Sequence, residues 1–252
     1  MDARTDAIAD LLPWDTEHFG VRIARARGAR LTADAVAALD AWCAVNRVDC
    51  LYCFADPTDA ETARQAGRGA FQLVDLRTTM ARELTQADRS RETSEERFRR
   101  AEQGDAGWLV SLSRQSYRGS RFYFDGRFGA DRCDLLYEIW ILKCLRDPAQ
   151  VVWLAHDQGR ALGYIACQCD APAQVGSIAL VAVDPASRGA GVGRGLVEQA
   201  VTHFAGLGMA RVRVVTQARN VSALRAYERS GFLMDELRLT YHKWYSPPGR
   251  SP

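Results

Sequence analysis

The stretch that most constrains the fold runs from Val181 to Val201 and reads VAVDPASRGAGVGRGLVEQAV. Its residues predict a β-strand, then a glycine-rich loop with two arginines, then a helix. This order directs unpaired amides and the positive end of the helix toward the loop, so we expect an anion-binding site. Gly189, Gly191 and Gly193 would let the anion approach the backbone closely.

The loop differs from the two common nucleotide-binding patterns. It lacks the Lys-Ser/Thr pair of the P-loop, and R-G-x-G-x-G is not the G-x-G-x-x-G of dinucleotide-binding folds. Arg188 and Arg194 supply positive charge without a metal. A pyrophosphate bound by amides and arginine alone indicates a cofactor whose phosphates are not the reacting group.

Composition narrows the class of protein. The 252 residues are 47% hydrophobic and 25% charged with a formal net charge of +2, so nucleic acid or a membrane surface is not expected as the main partner. We expect neither a membrane-spanning run nor a signal peptide. The seven cysteines and four histidines show no metal-ligand spacing, which favours buried free thiols in a metal-free cytoplasmic protein.

Helical and strand patterns alternate along the chain, which predicts a sheet covered by helices. We expect an N-terminal α/β module over 1–84, a charged connection over 85–105 and a larger domain over 106–246. The segment 120–129 is expected to be an irregular loop. Two segments of the chain resemble each other: TARQAGRGAFQLVDLRTTM and LRAYERSGFLMDELRLTY. Each is predicted to form a helix, followed by a glycine, a phenylalanine and a strand, and we call this the internal similarity. Either the N-terminal segment is a degenerate copy of the C-terminal one, or the similarity arose by chance.

Two motifs resemble the signatures of the GNAT N-acetyltransferases. VDPASRGAGVGRGLVEQAV is similar to their acetyl-CoA pyrophosphate loop, and TQARNVSALRAYERSGF to their second signature, in the family's order. The resemblance implies an α/β GNAT fold, in which a mixed, splayed central sheet is flanked by helices, with the N-terminal module resembling a partial GNAT half. It implies acetyl-CoA as co-substrate, bound by Val181, Val183, Arg188, Gly189, Gly191, Val192, Gly193, Arg194, Asn220 and Tyr227.

The resemblance extends to LPWDTEHFGVRIARA and SRFYFDGRF, which are similar to the GNAT subgroup that includes dTDP-fucosamine acetyltransferase. It implies acetylation of a primary amine on a nucleotide-linked amino-deoxy sugar. The alternatives are a GNAT enzyme for another small amine or a protein N-terminus, and a non-catalytic acyl-CoA-binding module. The sequence is compatible with a homodimer.

The resemblance also implies two catalytic residues. Tyr227 occupies the position of the general acid that protonates the CoA sulfur; alternatively, it is a tyrosine at a helix–core boundary. Asp75 follows FQLV where the subgroup carries a carboxylate that acts as base through water; alternatively, it pairs with Arg77 or Arg238. Asn220 meets the pantetheine, caps its helix, or does both.

An aromatic segment is the candidate acceptor site. Arg121, Phe122, Tyr123 and Phe124 predict a wall that stacks on a base or sugar, with Arg121 for the diphosphate. The alternative is a hydrophobic lid docked on the core. The subgroup signature around Trp14 and Asp15 shapes either this acceptor pocket or a domain interface.

Overall fold

A computed structural model describes residues 8–90 and 96–245. The strands are β1 Ala9–Leu11, β2 Ile23–Ala26, β3 Cys50–Ala55, β4 Gln72–Glu83, β5 Phe98–Arg100, β6 Gln150–Asp157, β7 Arg160–Asp170, β8 Val175–Val183, β9 Arg211–Gln217 and β10 Leu233–Trp244. The α-helices are α1 Pro13–Phe19, α2 Ala33–Val45, α3 Ala60–Arg68, α4 Gln86–Arg89, α5 Ala106–Ser116, α6 Arg121–Asp125, α7 Ala130–Arg146, α8 Val192–Gly206 and α9 Val221–Arg229.

The chain divides into two compact units that are both discontinuous in sequence. The first unit comprises the residues up to Arg77, Gly119–Cys133 and the residues from Leu237 onward. The second comprises Thr78–Arg118 and Asp134–Glu236. Strands β4 and β10 and helix α7 therefore supply residues to both units.

These units group the chain differently from the expected ranges 1–84, 85–105 and 106–246. The physical reason is pairing between distant segments, because Leu239–Trp244 of β10 forms an antiparallel ladder with Cys50–Ala55 of β3. Residues 85–105 contain α4, β5 and a 3₁₀ turn at Gln103–Asp105. Residues 1–7, 91–95 and 246 of the expected ranges lie outside the described residues.

In the first unit the strand order is β1-β2-β3-β10-β4. β2 and β3 run parallel, whereas β1 with β2 and β3 with β10 are antiparallel. Helices α2 and α3 contribute apolar residues to its core: Leu39, Cys43 and Ala66 pack in one cluster with Leu51 and Tyr241. The side chain of Thr32 caps α2, accepting a hydrogen bond from the Ala35 amide at 3.1 Å.

In the second unit the strand order is β4-β9-β8-β7-β6-β5. β8 and β9 are parallel, and the pairs β5–β6, β6–β7 and β7–β8 are antiparallel. Helix α8 packs closely on this sheet because Gly176 has no side chain: a Cβ there would lie 2.4 Å from the Phe204 ring. The mixed sheet flanked by helices confirms the predicted fold class.

The segment 120–129 corrects one expectation, since part of it is helical rather than irregular. Helix α6 covers Arg121–Asp125, and the Phe124 amide donates to the Ser120 carbonyl at 3.0 Å. Gly126, with φ at 75°, ends the helix in the left-handed region. The turn is too short to show the helical periodicity that sequence patterns detect.

The internal similarity includes the backbone hydrogen bonds at the ends of helices α3 and α9. The Phe71 amide donates to the Ala66 carbonyl and the Phe232 amide to the Tyr227 carbonyl, both at 3.0 Å and both five residues back. The left-handed residue that allows this bond is Ala70 (φ 56°) after α3 and Gly231 (φ 78°) after α9. Helix α3 ends at Gly69 as its sequence predicts, but the left-handed residue is the next one, Ala70.

Candidate active site

The glycine-rich loop joins β8 to α8 and presents backbone amides. Asp184 accepts a hydrogen bond from the Ala186 amide at 3.2 Å, and a 3₁₀ turn covers Pro185–Ser187. Gly191 precedes α8 and offers no side-chain cap. The first intrahelical bond there joins the Gly195 amide to the Gly191 carbonyl at 3.0 Å. The three amides before Gly195 therefore lack intrahelical acceptors, which leaves a positive helix end toward the loop.

The loop is open enough for an anion to reach these amides. Gly189 and Gly191 have φ of 81° and 79°, which favours glycine, and a Cβ at either would meet no atom within 4 Å. The Arg188 side chain is exposed and donates from Nε to the Val183 carbonyl at 3.4 Å. The Arg194 side chain is 61% exposed and lies 4.0 Å from Glu198. The site thus fits a pyrophosphate bound by amides and arginine.

Strands β8 and β9 separate beyond the middle of their ladder. Their pairing covers Val175–Ile178 of β8 with Arg211–Val214 of β9. Ala179 is the extra residue of a bulge against β7, since Ala166 pairs with Leu180 and Cys167 with Ile178. Val181 and Val183 follow the bulge, in the part of β8 that no longer pairs with β9. This confirms the splayed sheet and exposes backbone groups along which an extended arm can bind.

Tyr227 lies on α9 and is buried, with 3% exposure. Its ring packs at 5.8 Å from Phe232. Burial raises the pKa of the Tyr227 phenol well above its usual value near 10, so the hydroxyl stays protonated at neutral pH. It therefore has the protonation state of a proton donor, although the same burial also suits a core tyrosine.

Asn220 caps α9, which is one of its two expected roles. Its Oδ1 accepts a hydrogen bond from the Ala223 amide at 3.3 Å and one from the Ser222 hydroxyl at 3.0 Å. The contact of Asn220 with pantetheine stays a prediction.

A chain of buried hydroxyls in the same unit escaped the sequence reasoning. The Ser113 Oγ lies 2.6 Å from the Tyr164 Oη, which lies 2.9 Å from the Tyr117 Oη. Burial, and then the neighbouring phenols, of which Tyr227 is one, raise the pKa of Tyr117 well above 10. No local pattern marks these residues because they come from α5, β7 and the turn after α5.

Asp75 lies in β4 and is buried, with 4% exposure. It belongs to the first compact unit, whereas Tyr227 belongs to the second. A buried carboxylate requires hydrogen-bonding or charged partners. Its assignment as a base stays a prediction.

The four expected acceptor residues lie on α6, with different exposures. The Arg121 guanidinium carbon stands 4.1 Å from the Tyr52 ring centroid and 4.4 Å from that of Phe122. Phe122 packs at 5.0 Å from Phe19, whereas Phe124 is 54% exposed and Tyr123 is half-buried. Arg121 and Phe122 therefore take part in packing, and Phe124 presents its ring to solvent.

Sequence reasoning also missed a polar cluster around Arg121. The Arg121 Nη1 lies 3.1 Å from the His242 Nε2, and the His242 Nδ1 is hydrogen-bonded to Asp125. The Trp244 Nε1 donates to the same Asp125 carboxylate at 3.1 Å. Burial lowers the pKa of His242 to about 4, although its bond to Asp125 acts in the opposite direction. His242 is therefore neutral near pH 7.

A separate open cavity of about 760 Å³ lies in the second unit. Four arginines and three acidic residues line it, and most are paired: Arg82 donates to Asp88, and Arg211 to Asp235 at 2.6 Å. Arg194 of the glycine loop reaches its rim, but Tyr227 and the end of β8 do not line it. We therefore assign the candidate site to the loop and the splayed strands.

Residues 8–90 and 96–245, which the structure describes, contain neither a bilayer-spanning helix nor a cluster of metal ligands. No helix there is both long and apolar enough to cross a bilayer. No group of three or more histidine, cysteine, aspartate or glutamate side chains there could hold a metal ion.

Comparison with known proteins agrees with this geometry. Residues 114–232 match the model of the acetyltransferase (GNAT) family. The spore coat polysaccharide biosynthesis protein SpsD of Bacillus subtilis is 28% identical over 156 residues, which are 59% of this chain and 50% of that protein. A mycothiol acetyltransferase of Mycobacteroides abscessus is 37% identical over 106 residues, 40% of this chain and 33% of that protein. The chain thus spans half or less of these curated relatives.

Solved structures support the fold over a longer part of the chain. A GCN5-related N-acetyltransferase from Sphaerobacter thermophilus superposes with a TM-score of 0.67 at 18% identity, covering 95% of this chain and 76% of that one. A tandem GNAT protein from the clavulanic acid biosynthesis pathway gives a TM-score of 0.53 at 14% identity, covering 90% and 77%. The glycine loop and the splayed strands thus lie in the segment 114–232 that is similar to the GNAT acetyltransferases, a family of acyltransferases that use acetyl-CoA, and the whole described chain has the fold of the GNAT structures.

Proposed function

We propose that this protein transfers the acetyl group of acetyl-CoA to the primary amine of a nucleotide-linked amino-deoxy sugar. The observation that carries the acetyl-transfer part is the loop of unpaired amides and arginines beside strands that separate after Ile178 and Val214. The sugar acceptor is supported by the subgroup resemblance and by a relative named for polysaccharide biosynthesis. The free state of all seven cysteines suits a reducing cytoplasm.

Each part of the site has a chemical task in this proposal. Acetyl-CoA supplies the thioester whose carbonyl the amine attacks. The loop amides with Arg188 and Arg194 bind its pyrophosphate, and a backbone amide of β8 beyond the bulge polarises the carbonyl. As the C–N bond forms and the C–S bond breaks, Tyr227 donates its proton to the departing sulfur. Asp75 takes the proton of the amine through a water.

The central experiment is mass spectrometry of products formed from acetyl-CoA and a panel of amines. The panel contains nucleotide-linked amino sugars, the same sugars without nucleotide, other small amines and a peptide with a free N-terminus. We expect acetylated product from a nucleotide-linked sugar, with Tyr227→Phe as the inactive control. The similarity to mycothiol acetyltransferases makes another small amine the second candidate. If only the other small amines gave product, one of them would replace the nucleotide-linked sugar as the proposed acceptor. Binding of acetyl-CoA without any acetylated product would indicate a non-catalytic module.

The role of Asp75 is tested by Asp75→Asn. As a base acting through water, its loss lowers kcat/KM by about tenfold or more, most severely at low pH where free amine is scarce. Thermal melting and acetyl-CoA affinity are expected to stay near those of the parent protein.

Asp88→Asn is the matched control, because Asp88 is also 4% exposed but forms an ion pair with Arg82. We expect that variant to melt at a lower temperature with unchanged kinetics. If Asp75→Asn behaves like Asp88→Asn, Asp75 is a structural carboxylate and the amine loses its proton to solvent.

A further inference from the structure

One face of the β3–β10 ladder in the first unit carries polar and aromatic side chains beneath α6. Tyr52 and His242 are directly opposite each other, and their rings stack at 4.6 Å with 28° between their planes. Both side chains are fully buried. The Arg121 guanidinium of α6 covers the Tyr52 ring. A cation, a phenol and an imidazole are thus packed together in one unit.

The hydrogen bonds of His242 fix its protonation pattern. Arginine has donors only, so the His242 Nε2 must accept from the Arg121 Nη1 at 3.1 Å. The proton of the neutral ring is then on Nδ1, which donates to Asp125. The Trp244 indole holds that carboxylate from another side. The order Asp125–His242–Arg121 therefore sets the orientation of the guanidinium through a neutral imidazole.

Arg121 keeps unused donors and an unpaired charge. Among the residues that the structure describes, no carboxylate forms a salt bridge with it, and only one of its five N–H groups is engaged, by His242. Asp15 is the nearby acid that feels its charge, yet burial raises the pKa of Asp15 despite the opposing effect of Arg121. Since a close ion pair would lower that pKa, the guanidinium remains available to a ligand.

Two buried hydroxyls near Arg121 also lack a partner within the described ranges. They are the Tyr52 Oη, on the ring under the guanidinium, and the Ser120 Oγ, on the preceding residue. Ser120 begins α6 without using its side chain as a cap. Because buried hydroxyls are normally hydrogen-bonded, one such hydroxyl on the ring under Arg121 and one on the residue before it support a polar ligand at Arg121.

We propose that Arg121, Tyr52 and Ser120 bind an anionic oxygen group of the acceptor, and that His242 and Asp125 are positioning residues for Arg121. The ligand is a phosphate group, because a guanidinium with free N–H groups, supported by hydroxyl donors, matches an oxyanion with several acceptor oxygens. This inference rests on the proposed function, to which it adds Tyr52, Ser120 and the pair that orients Arg121.

The experiment is calorimetric titration of inorganic pyrophosphate into the whole 252-residue chain saturated with CoA, so that the proposed pyrophosphate site in the glycine loop is occupied. Two substitutions at one position separate positioning from packing. His242→Gln places an amide oxygen near the position of Nε2 and can still accept from Arg121. His242→Asn reaches only the position of Nδ1 and loses that bond. Arg121→Lys and Tyr52→Phe test the binding groups themselves.

We expect pyrophosphate affinity to fall at least tenfold in Arg121→Lys and His242→Asn, and a few-fold in Tyr52→Phe. His242→Gln should retain most of it, while CoA affinity stays constant in all four variants as evidence that they fold. Equal affinities for the two His242 variants and the parent protein would refute the positioning role. Absence of pyrophosphate binding to the parent protein, or unchanged affinity in Arg121→Lys, would overturn the anion site.

The proposed function fails separately, in the product assay. Acetylation of sugars without nucleotide at the same kcat/KM would exclude a phosphate-bearing acceptor even if pyrophosphate binds. If the Arg121→Lys variant acetylates nucleotide-linked sugars with an unchanged acceptor KM, the proposed function stands, but Arg121 is not the residue that binds the phosphate.

Discussion

Tyr227, the proposed general acid, has a physical property that suits this role. It is 3% exposed, and burial raises the pKa of its phenol, so a proton is present on the hydroxyl at every physiological pH. The proposed general acid would give up this proton to a thiolate and recover it from solvent after turnover.

Replacement by phenylalanine tests the assignment because it keeps the ring and deletes the donor. We expect Tyr227→Phe to lower kcat by about 10²- to 10⁴-fold with acetyl-CoA affinity nearly unchanged. Tyr164→Phe is the control, since it removes an equally buried hydroxyl bonded to Ser113 and Tyr117. That variant should lose about 1–2 kcal/mol of stability and keep its turnover. Wild-type kcat in Tyr227→Phe would assign the acid role to water or another residue.

At the scale of elements, the helix α8 and its loop form the proposed site of cofactor binding. We expect Gly191→Val to lower acetyl-CoA affinity at least tenfold, because a side chain there covers the amides and opposes φ of 79°. Arg188→Ala should weaken affinity less, by removing one charge.

Gly159→Val provides the control for backbone strain. Gly159 lies in the β6–β7 turn with φ of 81°, and its missing Cβ would also meet no atom within 4 Å. Both glycine variants should lose about 1–2 kcal/mol of stability, measured by urea unfolding, but only Gly191→Val should lose affinity. Equal affinities in isothermal titration would remove the loop from the pyrophosphate site.

The two similar helix–strand segments differ in the residue that adopts the left-handed conformation. Ala70 has φ of 56° and Gly231 has φ of 78° at corresponding positions. Ala70→Gly should stabilise the protein by about 0.5–1 kcal/mol, because relief of the left-handed strain exceeds the added entropy of the unfolded chain.

The reciprocal change, Gly231→Ala, should destabilise by about 1 kcal/mol. Its Cβ would come no closer than 3.6 Å to Arg82, so strain alone accounts for the loss. Shifts in the urea midpoint that have the same sign for both variants would show that the helix ends are not equivalent.

At the scale of the whole molecule, one fully buried and one half-buried histidine make stability depend on pH. Burial lowers the pKa of His242 in the first unit and of His203 in the second to about 4. Their usual pKa is near 6.5, so between pH 6.5 and 4 the unfolded chain binds more protons than the folded one. Stability is therefore full above pH 6.5 and falls as the pH drops toward 4.

We expect this loss to reach about 3 kcal/mol at most for His242 and less for the more exposed His203. Urea midpoints measured from pH 7.5 to 4.5 test it, with His242→Gln as comparison. The variant should begin less stable at pH 7.5 and show a shallower decline. Parallel curves for the two proteins would mean that His242 is already protonated in the fold.

The sequence by itself determined the local secondary structure and the helix caps. The strand, glycine loop and helix around Gly191, and the caps at Thr32 and Asn220, depend on φ preferences and hydrogen bonds within a few residues. Such features are encoded where they occur, so the glycine-loop part of the site and the fold class could be predicted. The helical turn of α6 could not, since five residues carry no period.

Only the tertiary structure determined which residues distant in sequence come into contact. Arg121 and Asp125 are four residues apart on α6, but His242 lies more than a hundred residues further along the chain, and no spacing rule relates it to them. Their meeting follows from the β3–β10 register, which places His242 opposite Tyr52 under α6. The part of β10 from Leu237 onward and the aromatic segment both belong to the first unit. Such pairings are chosen by burial of whole faces, a property that exists only once the chain has folded.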